Sequence, residues 1–96
     1  MVIEFLTFRV AADERDDWMQ IEESAWSRFL ERQHGFVRKQ IWIDVDDPDH
    51  VHAMIEWTSL EHWKAIPEHE LAAVDEAMGP WVRAATCRTF EVIRDS

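Results

Sequence analysis

Cysteine is nearly absent. The 96 residues hold one, Cys87, so no disulfide can close within the chain and no cysteine-rich zinc site can be assembled. Glycine and proline are sparse as well, two and three residues, which excludes collagen-like and low-complexity chains. Basic side chains number ten against twenty acidic ones, a formal net charge of −10. That surplus repels phosphate backbones, and no nucleic acid partner is expected. No apolar run approaches the roughly 20 residues that a bilayer helix needs, so no membrane partner is expected either. Met1 leads straight into Val2-Ile3-Glu4-Phe5-Leu6 without a basic leader or cleavage site, and the expected location is cytoplasmic. What is present is a globular composition, 47% apolar and 31% charged, at a length that suits one domain over residues 1–96.

The apolar pattern changes period along the chain. Val2 to Val10 carries apolar side chains at both parities, which predicts a strand covered on both faces. From Ala12 to Gln33 the apolar positions Trp18, Ile21, Ala25, Trp26, Phe29 and Leu30 fall at helical spacing. Acidic residues at Asp13, Glu14, Asp16 and Asp17 suit the positive end of that helix, and His34-Gly35 suits its stop. Phe36 to Val45 and Val51 to Thr58 read as two strands joined by the Asp46-Asp47-Pro48-Asp49 turn. Ser59 is an N-cap for a short second helix, and Pro67 breaks the chain before a further helix to Met78, with Leu71, Val74 and Met78 inward. Gly79-Pro80 ends it, and Ala84 to Ile93 is the last strand.

The resulting order, β-α-β-β-α-β, predicts an α+β ferredoxin-like sandwich, a four-stranded antiparallel sheet with its helices on one face. The other face would expose Ile3 and Phe5, with Val37, Ile41 and Ile43 competing for it. Apolar patches of that kind mark interfaces, and a homodimer formed through the sheets is expected.

Six tryptophans and no tyrosine make an unusual aromatic set. Each indole buries on the order of 150–250 Å², so the six could fill much of a small core. Several of them, notably Trp26 on the first helix and Trp63 on the second, could instead wall a flat apolar slot for a planar aromatic ligand, with Trp57 helping to position its ring. Glu22 falls near the middle of the first helix's apolar arc, at about 100° per residue. A carboxylate there is either a general base or neutral donor made by burial, or a partly exposed or salt-bridged residue at the helix-sheet seam, with Arg15, Arg38 or Arg88 as candidate partners. Glu4, the polar member of the Val2-Glu4-Leu6-Phe8 side of the first strand, is similar in kind. His50, His52 and Glu56 share a strand parity, a two-His-one-carboxylate pattern, but without HExxH or Cys-His spacing no metal is expected. His69 reads as a polar-face residue. No glycine-rich phosphate loop or activated nucleophile is present, and no bound cofactor is expected.

The element order, together with Ile55-Glu56-Trp57-Thr58-Ser59-Leu60-Glu61-His62-Trp63, resembles the dimeric α/β-barrel superfamily. Within it the chain is most similar to the antibiotic biosynthesis monooxygenase (ABM) domain and a narrower group of ABM-like proteins. The opening Val2-Ile3-Glu4-Phe5-Leu6, the pair Glu22 and Trp26, the segment Gly35 to Trp42 and Trp63-Lys64-Ala65-Ile66 carry the likeness over almost the whole length. The resemblance implies a homodimer with one pocket per subunit between helices and sheet. It also implies either cofactor-free oxidation of a phenolic small molecule or the binding of heme or another hydrophobic molecule without catalysis. Heme-degrading relatives use an Asn on the first strand, a Trp on the second helical segment and a later His. The corresponding residues here are Leu6, Ile66 and Glu76, a departure that speaks against heme degradation by that route. The site expected from resemblance and pattern together is Glu22 as base, with Glu4, Leu6, Trp26, Trp57, Trp63 and Ile66 around the ligand.

Overall fold

A computed structural model describes all 96 residues. Four strands, β1 (Val2–Arg9), β2 (Phe36–Ile43), β3 (His50–Trp57) and β4 (Ala85–Glu91), form one antiparallel sheet in the order β2-β3-β1-β4, the ferredoxin-like arrangement predicted from the element order. β2 and β4 each end two residues earlier than the apolar pattern suggested.

The first helical region is less regular than its periodicity implies. A 3-10 turn (Ala12–Glu14) leads into α1 (Arg15–Glu22), a π-helical turn follows (Glu23–Ser27), and α2 (Arg28–Glu31) completes it. Such turns insert one extra residue into the helical ladder and recur at functional sites. After β3, the Ser59 hydroxyl caps α3 (Leu60–Lys64) by accepting a hydrogen bond from the His62 amide at 3.1 Å. Pro67 stands at the N-cap of α4 (Glu68–Met78), and Gly79 closes that helix at φ +57, a backbone angle that favours glycine. Gly35 is needed for a second reason. At φ +88, a Cβ on it would lie 2.4 Å from His62 Cβ.

The helix-facing side of β3 is the centre of the core. Val51, Ala53, Ile55 and Trp57 are all buried. Around Trp57 and Ile55 gather Phe29, Leu30, Ile66 and Val74, while Trp18 packs with Val10, Val51 and Met78. Trp18 and Trp57 are fully enclosed, each worth about 4–6 kcal/mol of apolar transfer at ~25 cal/mol per Å². No helix is long and apolar enough to cross a membrane.

The opposite sheet face differs from expectation in one respect. Ile3 and Phe5 lie on it, joined by Trp42, Met54 and Phe90, whereas Ile41 packs on the helix side against the Trp18 cluster. A β-bulge between Phe36 and Arg38 is the cause: it reverses the alternation, so Phe36 faces the core with Trp57 while Arg38 meets Glu56 on the open face. Ile43, opposite Val51, follows Ile41 to the helix side. Trp42 and Phe90 are 43% and 42% exposed.

Candidate functional site

Between the helices and the sheet lies a cavity of about 430 Å³. Ala72 and Asp75, with Val82 and Ala85 at the approach to β4, form an exposed rim to the cavity. Its walls are apolar: Leu6 and Phe8 from β1, Trp26 and Leu30 from the first helical region, Ile55 from β3, and Trp63, Ile66 and Leu71 from the second. Polar groups enter this lining at few points, chiefly Glu4, Glu22 and Lys39.

Glu22 and Lys39 form a buried ion pair. Their side chains are 5% and 7% exposed, and Lys39 Nζ donates to Glu22 Oε2. The π turn completes the arrangement. By inserting one residue it brings Ser27, five positions on, against Glu22, so that Ser27 Oγ donates to Glu22 Oε1 at 3.1 Å and accepts from Lys39 Nζ at 3.0 Å. The partner is therefore Lys39, not Arg15, Arg38 or Arg88. Arg38 is instead held by Glu56 at 2.8 Å on the open face. The pair is also a partition, because Glu22 and Lys39 line both the cavity and a polar groove outside it between the helices and β2.

Glu4 stands apart from that network. One oxygen, Oε1, accepts from Trp57 Nε1 at 3.1 Å. Burial pushes its carboxyl above the ordinary range, while the Trp57 hydrogen bond and the ammonium groups of Lys64 and Lys39 act in the opposite direction. Trp57 itself is fully buried and contributes no surface to the cavity; it faces Phe36 edge-on with ring centres 6.0 Å apart. Its part is to orient Glu4. The other residues named from sequence, Glu4, Leu6, Glu22, Trp26, Trp63 and Ile66, all line the cavity.

The remaining candidates disperse. His50 Nδ1 lies 2.6 Å from Asp47 Oδ2, fastening the β2–β3 turn, and that bond holds the Asp47 carboxyl below its ordinary value. His52 is tied to Thr7 Oγ1 at 3.0 Å and stacked on Phe5. No three His, Cys, Asp or Glu side chains gather closely enough to hold a metal ion. Glu76 is exposed and lines no wall. Burial, followed by the Glu4 carboxylate, pushes the Cys87 thiol up, which makes it a poor nucleophile. Lys39 was missed in the sequence, although it shares the parity of Ile41, three residues beyond the Phe36 bulge.

Comparison with known proteins agrees with this fold. Residues 1–71 match the family model for antibiotic biosynthesis monooxygenase. No curated protein sequence matches the chain. Among solved structures, a variant of SnoaB, a cofactor-independent oxygenase from Streptomyces nogalater, superposes with a TM-score of 0.72 at 19% identity, covering 98% of this chain and 94% of that one. The monooxygenase ActVA-Orf6 of Streptomyces coelicolor, in complex with nanaomycin D, gives 0.76 at 13% identity over 99% and 92%. The heme degrader MhuD from Mycobacterium tuberculosis, with two hemes in its active site, gives 0.79 at 19% identity over 100% and 99%.

Proposed function

The chain belongs to the antibiotic biosynthesis monooxygenase family, and from that premise we propose that its cavity takes a planar aromatic or phenolic small molecule for oxygenation without a bound cofactor. The observation that carries the reading is a hollow of about 430 Å³ lined by Trp26 and Trp63 and, among few polar residues, by the buried acids Glu4 and Glu22. A base that removes a phenolic proton leaves an electron-rich phenolate able to reduce dioxygen directly, so such a site needs an acceptor and aromatic walls more than a cofactor. The oxygenase activity of SnoaB and the nanaomycin D complex of ActVA-Orf6 support this class of ligand.

Of the two carboxyl groups, Glu4 is the better acceptor. Glu22 has one oxygen on Lys39 and the other on Ser27, whereas Glu4 has a single partner, on Oε1. Glu22 is assigned a positioning role. Heme fits the hollow less well: the lining offers carboxylates, lysine and arginine, but no His, Cys or Met to serve as an axial ligand to its iron.

We assign the apolar open face to a second copy. Ile3, Phe5, Trp42, Met54 and Phe90 make a contiguous patch there, so two sheets would stack face to face and leave one cavity in each subunit.

Oxygen uptake over a panel of aromatic quinols tests the activity. A substrate turned over by the wild type should lose about 10²–10⁴-fold in rate with Glu4→Gln. Equal rates for the two would remove Glu4 from the chemistry. Saturable ligand binding without oxygen uptake would leave a carrier in place of an enzyme.

A further inference from the structure

Lys39 is a fixed ammonium group set in an apolar wall. Its side chain is 7% exposed. Of its three N–H donors, one reaches Glu22 Oε2 and one reaches Ser27 Oγ. The third has no protein acceptor, and the side chain borders the cavity. Its position relative to Glu4 follows from the sheet register. Ile55 on β3 is opposite Glu4 on β1 and opposite Lys39 on β2. The two side chains therefore rise from one face of the sheet on either side of Ile55, with their backbones about 10 Å apart, two strand spacings. A ligand oxygen over Ile55 lies between them.

We propose that Lys39, held by Glu22 and Ser27 through the π turn, is the residue that selects ligands carrying one acidic hydroxyl on a flat apolar skeleton, by binding the oxyanion left when Glu4 takes the proton. The inference rests on the reading of the hollow as an aromatic-ligand site and adds a specificity-determining residue to it.

The step balances. The O–H bond of the phenol or enol breaks and its electron pair stays on the ligand oxygen. The proton forms a new O–H bond on the second oxygen of Glu4. Before transfer the groups in the hollow are anionic Glu4, anionic Glu22 and cationic Lys39. Afterwards Glu4 is neutral and the ligand carries the charge, so the total is unchanged and the negative charge has moved toward the ammonium group. Burial of Glu4, which disfavours its ionised form, favours the same direction. A carboxylate ligand would instead arrive charged and add to the charge already present, so an acidic hydroxyl is preferred over a carboxyl group. The other charged groups near the cavity do not compete for the oxyanion: Arg83 is engaged by Glu14 at 2.9 Å, Asp75 is at the exposed rim, and Lys64 lies over the Trp63 ring at 4.0 Å.

The probes are naphthalene, 2-naphthol and 2-naphthoate. Binding is followed by equilibrium dialysis and ionisation of the naphthol by the absorbance of its anion across pH. In the wild type the ratio of anion to neutral naphthol should be about tenfold higher bound than free, a shift of about one pKa unit, and naphthoate should bind more weakly than naphthol. Lys39→Met/Glu22→Gln removes both charges with little change of volume; it should bind naphthalene as the wild type does and lose the tenfold shift. Glu22→Gln alone leaves Lys39 without its counter-charge and should increase the shift, a change that a purely structural lysine would not produce.

If naphthalene binds but naphthol stays neutral in the wild type, or if the double variant ionises it equally well, the assignment of Lys39 is overturned while the aromatic site stands. If neither hydrocarbon nor naphthol binds, the aromatic site falls and the assignment with it.

Discussion

Lys39→Met takes the cation away from a carboxylate that is 95% enclosed, the Glu22 side chain being 5% exposed. Ser27 Oγ would remain as its one hydrogen-bond donor. Breaking a buried pair from one side costs about 3–5 kcal/mol, because the surviving charge is left desolvated and uncompensated. Against the ~5–15 kcal/mol that a domain of this kind holds in total, that is a large fraction. Glu22→Gln in the wild-type background should cost less, about 1.5–3 kcal/mol, the value of a hydrogen bond to a charged group, since the amide oxygen still accepts from Lys39. The decisive term is the sign of Glu22→Gln when Lys39 is already Met. There it removes the stranded charge and should raise stability by about 2 kcal/mol, so its effects in the two backgrounds differ by about 3.5–5 kcal/mol, above the ~0.5–3 kcal/mol usual for contacting residues. Urea denaturation followed by tryptophan fluorescence and far-ultraviolet circular dichroism, on wild type, both single variants and the double, measures the cycle. Additive costs, with Glu22→Gln destabilising both backgrounds equally, would refute the ion pair as drawn.

The pH dependence of Glu4 has a definite sign. Its folded carboxyl titrates above the ordinary 4.5, so the fold favours the neutral form and loses stability as pH rises from about that value through the folded one. Glu4→Gln should therefore gain relative to the wild type between pH 4 and pH 7 in denaturant midpoints; a gap that is flat or shrinks with pH would contradict this. Gly35→Ala forces a side chain into φ +88 and against His62 Cβ, and should cost more than ~1 kcal/mol in the same assay. Trp42→Glu places a charge in the open apolar face without entering the core. Sedimentation equilibrium should give the mass of two chains for the wild type and of one for the variant, with monomer stability changed by about 0.5 kcal/mol or less.

Much of the fold can be read from the residues because local signals and burial agree. Ser59 is a cap in both, Pro67 separates α3 from α4, and Gly79 ends the last helix where its φ must be positive. Glu22 stands out in the sequence because a carboxylate in an apolar helical arc needs a partner. Its partner could not be found by counting. The bulge at Phe36 and Arg38 shifts strand parity by one residue, which sends Lys39 and Ile41 inward and Trp42 outward, and a bulge leaves no mark on an alternating apolar run. The π turn is hidden for a similar reason: one inserted residue changes which side chains meet, Glu22 and Ser27, while the helical spacing around it persists. Trp57 is expected beside the ligand as one of the indoles around the slot, and burial overrides that expectation. β3 is an inner strand flanked by β1 and β2, so this indole is fully covered and acts only through its N–H, which donates to Glu4.

The hollow beneath the helices is most directly tested through the six indole N–H signals in a nitrogen-15 correlation spectrum, recorded as 2-naphthol is added. Trp26 and Trp63 border the cavity, and Trp57 donates to Glu4 inside it; these three signals should shift together and saturate, while Trp42 on the far sheet face keeps its position. Movement of Trp42 alone, or of none of the six at millimolar ligand, would contradict a binding site in that place.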